Sequence, residues 1–297
     1  MMKVIENRKI WFIISGVIIL AGIISMIFRG LNFDIEFAGG TLIQVELHQK
    51  LEDYSQIEKI ASAVSGDQNP QVQSVSGSGG ETQVSIKVKQ ISTEKITEMY
   101  EQLADRYGLD KAGKTDLIEQ STISPVISGE MKRAAMISTI ITAALILLYI
   151  TIRFRNISFG LGALIPLIHD ILVMIAVYTL FQIPVNNTFI VALLTIVGYS
   201  INNTIVVFDR IRENRSLFRS NQNVALCDTS IRQTLGRSLA SSFTTIITVF
   251  LLFLLGVQSI RWFALPLVVG LLAGTYSSIF IASPIWYLLE KAIHKNT

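Results

Sequence analysis

Six long apolar stretches constrain the fold of this 297-residue chain more than any other feature. Each is almost free of charge and reaches the roughly 17 to 25 residues that a helix needs to cross a bilayer. Hydrophobic residues make up 51% of the chain and charged residues only 16%, a composition unlike that of a soluble globular protein. The sequence therefore predicts a helical membrane protein with six spans. The first stretch is too long for a signal-peptide core, so we expect it to be retained. The stretches are residues 10–28, 134–152, 157–181, 189–208, 239–257 and 262–289.

Basic residues cluster in the segments that share one side of this six-span topology. Short loops rich in Lys and Arg are kept on the cytoplasmic side of a membrane. The short loops on the opposite side, "QIPVNN" and "QSI", carry no charge. We therefore expect both termini to lie in the cytoplasm. The basic residues in question are Lys3, Arg8, Lys9, Arg153, Arg155, Arg210, Arg212, Arg215, Arg219, Arg232, Lys291 and Lys295.

The long segment between the first and second spans is acidic, whereas the rest of the chain is basic. Residues 30–130 contain 8 basic and 16 acidic residues, against 17 and 6 elsewhere. An acidic outer domain does not suit nucleic-acid binding, so no nucleic-acid partner is expected. The single cysteine, Cys227, lies outside this segment, so the outer domain has no disulfide. We expect a first span in residues 1–29, an outer domain in 30–130 and a five-helix bundle in 131–297, with a cytoplasmic loop at 209–238.

The outer segment alternates between strand-like and helix-like patterns. Apolar positions recur at helical spacing in residues 54–64 and 96–107, and each of these runs is followed by glycine. The turn-forming sequence "SGSGGE" predicts a hairpin between two strands. The order β-α-β-β-α-β predicts a small α+β domain of the ferredoxin-like, split βαβ type, which does not by itself define a function. The predicted strands are residues 41–47, 72–75, 82–88 and 116–123.

Four motifs, in order along nearly the whole chain, resemble those of a known family. They are "LNFDIEFAGGT" after the first span, "SPVISGEM" before the second, "HD" in the third and "VGYSINNTIVVFDRIREN" in the fourth. Together they resemble the SecF branch of the SecD/SecF family of bacterial protein-export membrane proteins, which belongs to the resistance-nodulation-division superfamily. The fourth motif is the most specific of these.

The resemblance implies a membrane subunit without enzymatic activity that promotes protein export with energy from the proton gradient. Its implied partners are SecD, the SecYEG channel and an unfolded polypeptide in transit, and its implied location is the bacterial inner membrane. No cofactor and no metal are expected. Gly39 and Gly40 belong to the family's signature loop, and we expect them to form a backbone turn that glycine adopts readily. Pro125 belongs to the second motif and is a candidate hinge, flanked by Ser124 and Ser128 where glycines are common in the family.

Asp170 and His169 lie near the middle of the third apolar stretch. An ionisable side chain at the centre of a bilayer costs at least about 2.5 kcal/mol and is usually functional. We therefore predict a functional role for Asp170 in a proton path. His169 is either a second functional group or a buried hydrogen-bond partner.

Asn202 and Asn203 are adjacent amides in the fourth apolar stretch. Both are able to line the interior of a bundle, although neighbouring positions point about 100° apart on a helix. One interpretation is interhelical packing, in which an amide hydrogen bond contributes about 0.6 to 2 kcal/mol. The other is a hydrated path in which Asn203 is a fixed polar relay.

Asn203 also departs from the family pattern, in which this position is commonly Asp. An amide cannot titrate at accessible pH, so a proton carried here in the family is not carried by this residue. Either the SecD half carries the proton, or Asp170 has taken over this role.

Arg237 begins a polar stripe on the fifth helix, because residues four positions apart share a helix face. Asn203 lies about 8 Å from the cytoplasmic end of its helix and Asp170 about 20 Å, so we expect Arg237 at the level of Asn203. Arg237 is either an interfacial anchor that reaches the cytoplasm or, as the resemblance implies, a residue that faces the proton path. The other residues of the stripe are Ser241, Thr245 and Thr248.

Two other functions use the same features. The chain could be one half of a small-molecule or lipid exporter of the same superfamily, although such exporters usually carry both halves and larger outer domains in one chain. It could also be an intramembrane hydrolase that uses His169, Asp170 and Ser200. No nucleophile motif surrounds Ser200, which argues against this function.

Overall fold

The computed structural model describes residues 3–48, 51, 53–76, 82–219, 222–256 and 258–294. Within these residues, six helical segments are long and apolar enough to cross a membrane, which confirms the predicted number of spans. The helices are α1 (Arg8–Arg29), α2 (Ile35–Ala38), α3 (Ser55–Ser65), α4 (Thr93–Tyr107), α5 (Pro125–Phe154), α6 (Ile157–Phe181), α7 (Asn187–Asn214), α8 (Asn223–Leu255), α9 (Gln258–Phe280) and α10 (Ala282–His294). The strands are β1 (Gly40–Leu47), β2 (Gln71–Ser76), β3 (Thr82–Val88) and β4 (Leu117–Ile123). The sixth span comprises α9 and α10.

Some of the spanning helices begin earlier than the apolar stretches indicate. Helix α5 begins at Pro125, before the expected domain boundary at 130, and α8 begins at Asn223, inside the expected cytoplasmic loop. Proline suits the first helical position because the N–H group that it lacks would have no hydrogen-bond partner within the helix. The Ser124 hydroxyl caps this helix by accepting a hydrogen bond from the backbone N–H of Ile127. The apolar pattern underestimates the length of these helices because it identifies only the residues that lie in the hydrocarbon region of the membrane. The backbone hydrogen bonds of the helix continue beyond those residues.

The outer domain has the predicted β-α-β-β-α-β order. Its four antiparallel strands lie in the order β2-β3-β1-β4, which is the ferredoxin-like arrangement. The turn of the predicted hairpin, residues 77–81, lies outside the described residues. Alternate residues of β1 and β3 face α3 and α4, because strand side chains point to opposite faces in turn. The buried core of the domain includes Ile43, Val45, Val84, Ile86, Ile57, Met99 and Leu103.

Helix α6 is one of the two most enclosed spans of the membrane bundle, with the sixth span at 67% buried. Its membrane-spanning window is 61% buried, whereas that of α5 is only 6% buried. Helix α6 packs against α1, α5, α7, α9 and α10. Its enclosed position explains why His169 and Asp170, which lie on it, are removed from the surface.

Small residues allow the helices around this centre to approach closely. Gly270 and Gly274 on α9 face Ile196 and Ser200 on α7, and a β carbon at Gly270 would lie 2.0 Å from Ile196 Cδ1. The small-xxx-small sequence "GLLAG" therefore forms a close helix contact, as this pattern does in other membrane proteins.

Candidate functional site

Asp170 joins three helices in the middle of the bundle. Its carboxylate is completely buried. Oδ2 accepts hydrogen bonds from Ser200 Oγ on α7 at 2.5 Å and from Ser277 Oγ on α9 at 2.7 Å, while His169 Nδ1 lies 2.9 Å from Oδ1. A buried carboxylate is tolerated only when its oxygens are satisfied in this way. His169, Asp170, Ser200 and Ser277 are called the Asp170 cluster below.

His169 differs from the rest of the Asp170 cluster because one of its nitrogens has no partner. Nε2 is buried and makes no hydrogen bond within the described part of the chain. The imidazole ring lies beside Tyr276 on α9, with ring centroids 6.0 Å apart. His169 is thus held by Asp170 on one side and by an aromatic contact on another.

The Asp170 cluster does not have the geometry of a serine hydrolase. In such enzymes the histidine lies between the serine and the carboxylate, so that it can take the hydroxyl proton. Here the carboxylate lies between Ser200 and His169. Ser200 donates to Asp170 and has no imidazole base, so the arrangement does not support the hydrolase hypothesis. Among the described residues, no three His, Cys, Asp or Glu side chains gather as metal ligands.

Asn203 is a buried contact between helices. Its Nδ2 donates to Ser242 Oγ on α8 at 3.2 Å, and the same oxygen accepts from Thr275 Oγ1 on α9 at 2.8 Å. This arrangement matches the packing interpretation of the amide. Asn202, by contrast, lies on the exposed surface of α7 and makes no side-chain hydrogen bond with any described residue. Only one of the two amides therefore lies inside this chain's own bundle.

Arg237 does not lie beside Asn203, contrary to the expectation from helix depth. It is exposed on α8 and makes no ion pair or side-chain hydrogen bond within the described ranges. The polar residues of α8 that face the interior lie one position further along, so they point about 100° away from the Arg237 stripe. Helix α8 thus carries two polar stripes, and the one that begins at Arg237 lies on its exposed side. The interior stripe is Ser230, Thr234, Ser238 and Ser242.

Helices α7 and α8 together present polar side chains on the outer surface of the bundle. Thr195 and Thr248 donate their hydroxyl protons to their own helix backbones, at 2.7 and 2.9 Å, so their hydrogen bonds are satisfied. Asn202 and Arg237 have no such partner in the described residues. We call these residues, with Ser241, the outer polar face.

The glycine pair before β1 forms a turn that other residues resist. Gly39 has a φ of 75° and Gly40 a φ of 143°, a region that side chains rarely adopt. A β carbon at Gly40 would lie 2.5 Å from the carbonyl oxygen of Val88. At Gly39 it would lie 3.3 Å from Cα and N of Pro125, the first residue of α5. The expected glycine turn is confirmed, and it brings the two chain connections of the outer domain together.

The charged end of the fourth motif forms an ion-pair cluster. Asp209 lies 3.1 Å from Arg212 and 3.6 Å from Arg153, the latter near the end of α5. Arg215 pairs with the buried carboxylate of Glu290 on α10. These contacts join the ends of α5, α7 and α10 on the basic side of the bundle.

Comparisons with known proteins identify the family of the chain. The family model "Protein export membrane protein SecD/SecF, C-terminal" matches residues 106–292, and "SecD/SecF GG Motif" matches residues 24–50. The chain is 33% identical to the protein translocase subunit SecF of Sebaldella termitidis, over 98% of this chain and 92% of that one. It is 35% identical to SecDF of Bacillus subtilis, over 95% of this chain and 37% of that longer protein. The crystal structure of SecDF from Thermus thermophilus, described as a translocon-associated membrane protein, matches all of this chain and 39% of its own with a TM-score of 0.83 and 29% identity. The chain therefore belongs to the SecD/SecF family of protein export membrane proteins.

Proposed function

We propose that this multi-pass membrane protein is the SecF-like subunit of a SecDF-type complex, which promotes protein export through the SecYEG channel. Its relatives are protein translocase subunits. The observation that carries the proposal beyond family membership is the outer polar face. Asn202 and Arg237 project from the membrane bundle with no partner among the described residues.

A polar group in this position is unfavourable against lipid. An unsatisfied amide in hydrocarbon costs several kcal/mol, because no water is present to replace its hydrogen bonds. Asn202 lies six residues inside the fourth apolar stretch, about 9 Å from its cytoplasmic end. A second membrane subunit that covers α7 and α8 would supply the missing partners.

The lengths of the relatives indicate which subunit this is. In Bacillus subtilis and Thermus thermophilus, the matching region is 37% and 39% of a longer SecDF chain. The remainder of those chains lies outside the match and includes their SecD part. SecD is therefore the proposed partner at the outer polar face.

The positive charge of Arg237 calls for a carboxylate partner, and this requirement helps to identify the proton carrier. Asp170 is the carboxylate in the middle of the described spans, and its oxygens already accept from Ser200 and Ser277. Asn203 cannot titrate. We therefore assign the carboxylate that faces Arg237, and with it the use of the proton gradient, to the SecD half. In this chain, Asp170 then stabilises the contact between α6, α7 and α9.

The proposed orientation places both termini in the cytoplasm and the acidic domain outside, in a bacterial inner membrane. The distribution of Lys and Arg supports this orientation. In this arrangement the outer domain is on the side where the unfolded polypeptide emerges from the channel.

Co-purification and export assays test the proposal. The chain is expressed with SecD, and export of a secretory precursor is measured with and without an uncoupler. We expect co-purification of SecD and SecY, and export that depends on the proton gradient. Arg237→Gln should impair export while the complex still forms, because it removes the partner of a carboxylate in SecD.

Arg232→Gln is the matched control, since Arg232 is also exposed on α8 but lies more than one turn nearer its cytoplasmic end. It should export normally. If the chain purifies with neither SecD nor SecY, the proposal is contradicted. That result is expected for one half of a small-molecule or lipid exporter. Normal export by Arg237→Gln would remove the assigned role of Arg237.

A further inference from the structure

The segment between α1 and the glycine pair lies across the loop that joins α6 and α7. We call residues 30–38 the strap. Gln182 Nε2 donates to the Gly30 carbonyl at 3.3 Å, and Asn32 Nδ2 donates to the Gln182 carbonyl at 2.9 Å. Backbone bonds follow, from Val185 N to Asn32 O at 2.8 Å and from Asp34 N to Val185 O at 3.0 Å. The strap is thus fixed to the membrane bundle along most of its length.

The strap also binds the first residue of α7. Glu36 Oε2 accepts the backbone N–H of Asn187 at 2.5 Å. The first N–H groups of a helix have no partner within the helix, and this end carries a partial positive charge. A carboxylate is therefore a favourable partner at this point. Helix α7, which carries Ser200 and Asn203, is held by the strap at its outer end.

The outer domain is joined to the bundle through a narrow neck. The first residue of its sheet, Gly40, pairs with the last residue of β4, Ile123. Just below them, Gly39 approaches Pro125. Both chain connections therefore leave the domain side by side, and such a two-stranded neck does not by itself fix the angle of the domain.

One ion pair ties the domain to the strap beside this neck. Lys87 Nζ on β3 lies 3.1 Å from Asp34 Oδ1, and the two side chains are 12% and 15% exposed. The same oxygen caps α2 by accepting from Ile35 N at 2.7 Å. Within the described ranges, no other ion pair joins the domain to the strap.

The contact around this ion pair is open. A cleft of about 290 Å³ separates strap residues Phe33, Ile35 and Ala38 from domain residues that include Asp67 and Lys89. The open part of this contact gives the domain room to move on its neck. Within the described residues, release of the ion pair would remove the charged contact between the domain and the strap.

We propose that the Asp34–Lys87 ion pair is a releasable latch that sets the position of the outer domain over the strap, while the strap stays fixed to α6 and α7. The latch is a property of the chain itself, whereas its use in export rests on the proposed function. Lys87 and Asp34 are positioning residues that act on the angle of the domain.

Pulsed EPR distance measurements on the full chain in lipid test the latch. Spin labels are attached at Glu98→Cys on the exposed side of α4 and at Phe181→Cys at the end of α6, with the only native cysteine, Cys227, replaced by alanine. With the latch intact we expect one narrow distance distribution. Lys87→Met and Asp34→Asn should broaden it, and Asp34→Asn retains a capping side chain, so loss of the cap is not the cause.

Lys89→Met is the matched control. Lys89 lies two residues along the same segment and pairs with Asp67 within the domain, so the distribution should stay narrow. Hydrogen exchange should show the amides of Asp34 and Val185 equally protected in all variants. An unchanged distribution in Lys87→Met, or loss of strap protection together with the broadening, would overturn the latch.

Export assays on the same variants separate the latch from the proposed function. We expect Lys87→Met to export several-fold more slowly than the parent in the assembled complex, and Lys87→Arg to restore export. If the parent chain supports no export while the distances respond as expected, the proposed function fails and the latch stands. If the parent exports normally and the distances do not respond, the latch fails alone.

Discussion

Replacement of Gly22 by alanine should separate α1 from the bundle. A β carbon at Gly22 would lie 2.2 Å from Ala176 Cβ and 2.8 Å from Ala176 Cα on α6. Non-bonded carbon atoms prefer separations of about 3.5–4.0 Å. Alanine has no rotamer that relieves the contact, so the two helices must separate by about 1.3 Å or more at this point. The shift would also weaken the contact between Thr179 Oγ1 and the Gly22 carbonyl, which is 3.4 Å long.

The cost of this change follows from the general effect of overpacking. Insertion of a methyl group into a well-packed core costs about 1–3 kcal/mol. For chains of 150–250 residues, 1 kcal/mol corresponds to a shift of roughly 2–4 °C in Tm, so Gly22→Ala should lower the Tm by about 2–12 °C. Tryptophan fluorescence during thermal unfolding in detergent reports the change, because Trp11 on α1 packs against Phe280 with ring centroids 4.3 Å apart.

Two further variants test the reasoning. Gly16 lies on the same helix, and no atom lies within 4 Å of the position that its β carbon would take, so Gly16→Ala should change the Tm little. Ala176→Gly in the Gly22→Ala background removes the clashing atom and should recover most of the lost stability. Equal Tm values for Gly22→Ala and Gly16→Ala would refute the predicted clash, as would a Gly22→Ala protein whose Tm is not raised by Ala176→Gly.

Three other predictions concern the outer domain and the buried carboxylate. Gly40→Ala should destabilise the outer domain more than Gly66→Ala, because the added β carbon would meet the Val88 carbonyl at Gly40 but only open space at Gly66. Hydrogen exchange of the domain in the full chain would show the difference, and equal loss of protection in the two variants would contradict the prediction. Asp170→Asn should leave a complex that assembles and still exports in a proton-dependent manner; an assembled complex that has lost its sensitivity to an uncoupler would return the proton-carrying role to Asp170. Hydrogen bonds from Gly113 N–H and the Thr115 hydroxyl lower the pKa of Asp110 below its usual 3.8. Its contribution to stability is therefore present above that value and is lost as the pH falls through the lower folded-state pKa. Asp110→Asn should thus weaken protection of the outer domain at neutral pH but not in strongly acidic buffer, and an equal effect in both would refute this.

The fold was largely predictable because its main signals are local. Apolar stretches of bilayer length identify membrane spans without any knowledge of their partners. In the outer domain, helical spacing that ends at Gly66 and Gly108 gave the two helices correctly. The start of α5 at Pro125 was less predictable, because the first turns of that helix lie outside the apolar stretch.

The polar contacts were less predictable because they depend on the rotation of each helix about its axis. Helix α8 carries two polar stripes one position apart, and hydropathy does not distinguish the one that ends in Ser242 from the one that begins at Arg237. A regular serine and threonine spacing of four residues from Ser230 onwards was the available signal for the interior stripe. The partners of Asp170 were equally hidden, since Ser200 and Ser277 are 30 and 107 residues away in sequence.

The latch shows a further limit of local reasoning. Asp34 and Lys87 are ordinary surface residues in the sequence, and only the register of β3 against β1 brings Lys87 over the strap. The glycine pair was recognisable from its motif, but the motif does not indicate that the neighbouring strap holds the outer end of α7.

Site-specific photo-crosslinking in cells tests most directly whether a SecD subunit covers the outer polar face. A photoreactive amino acid is placed at Ser241, on this face, and separately at Ile13, which is 65% exposed on α1. We expect a strong crosslink from Ser241 to SecD and little or none from Ile13. A Ser241 probe that labels no protein, or that labels SecD no more than the Ile13 probe does, would contradict it.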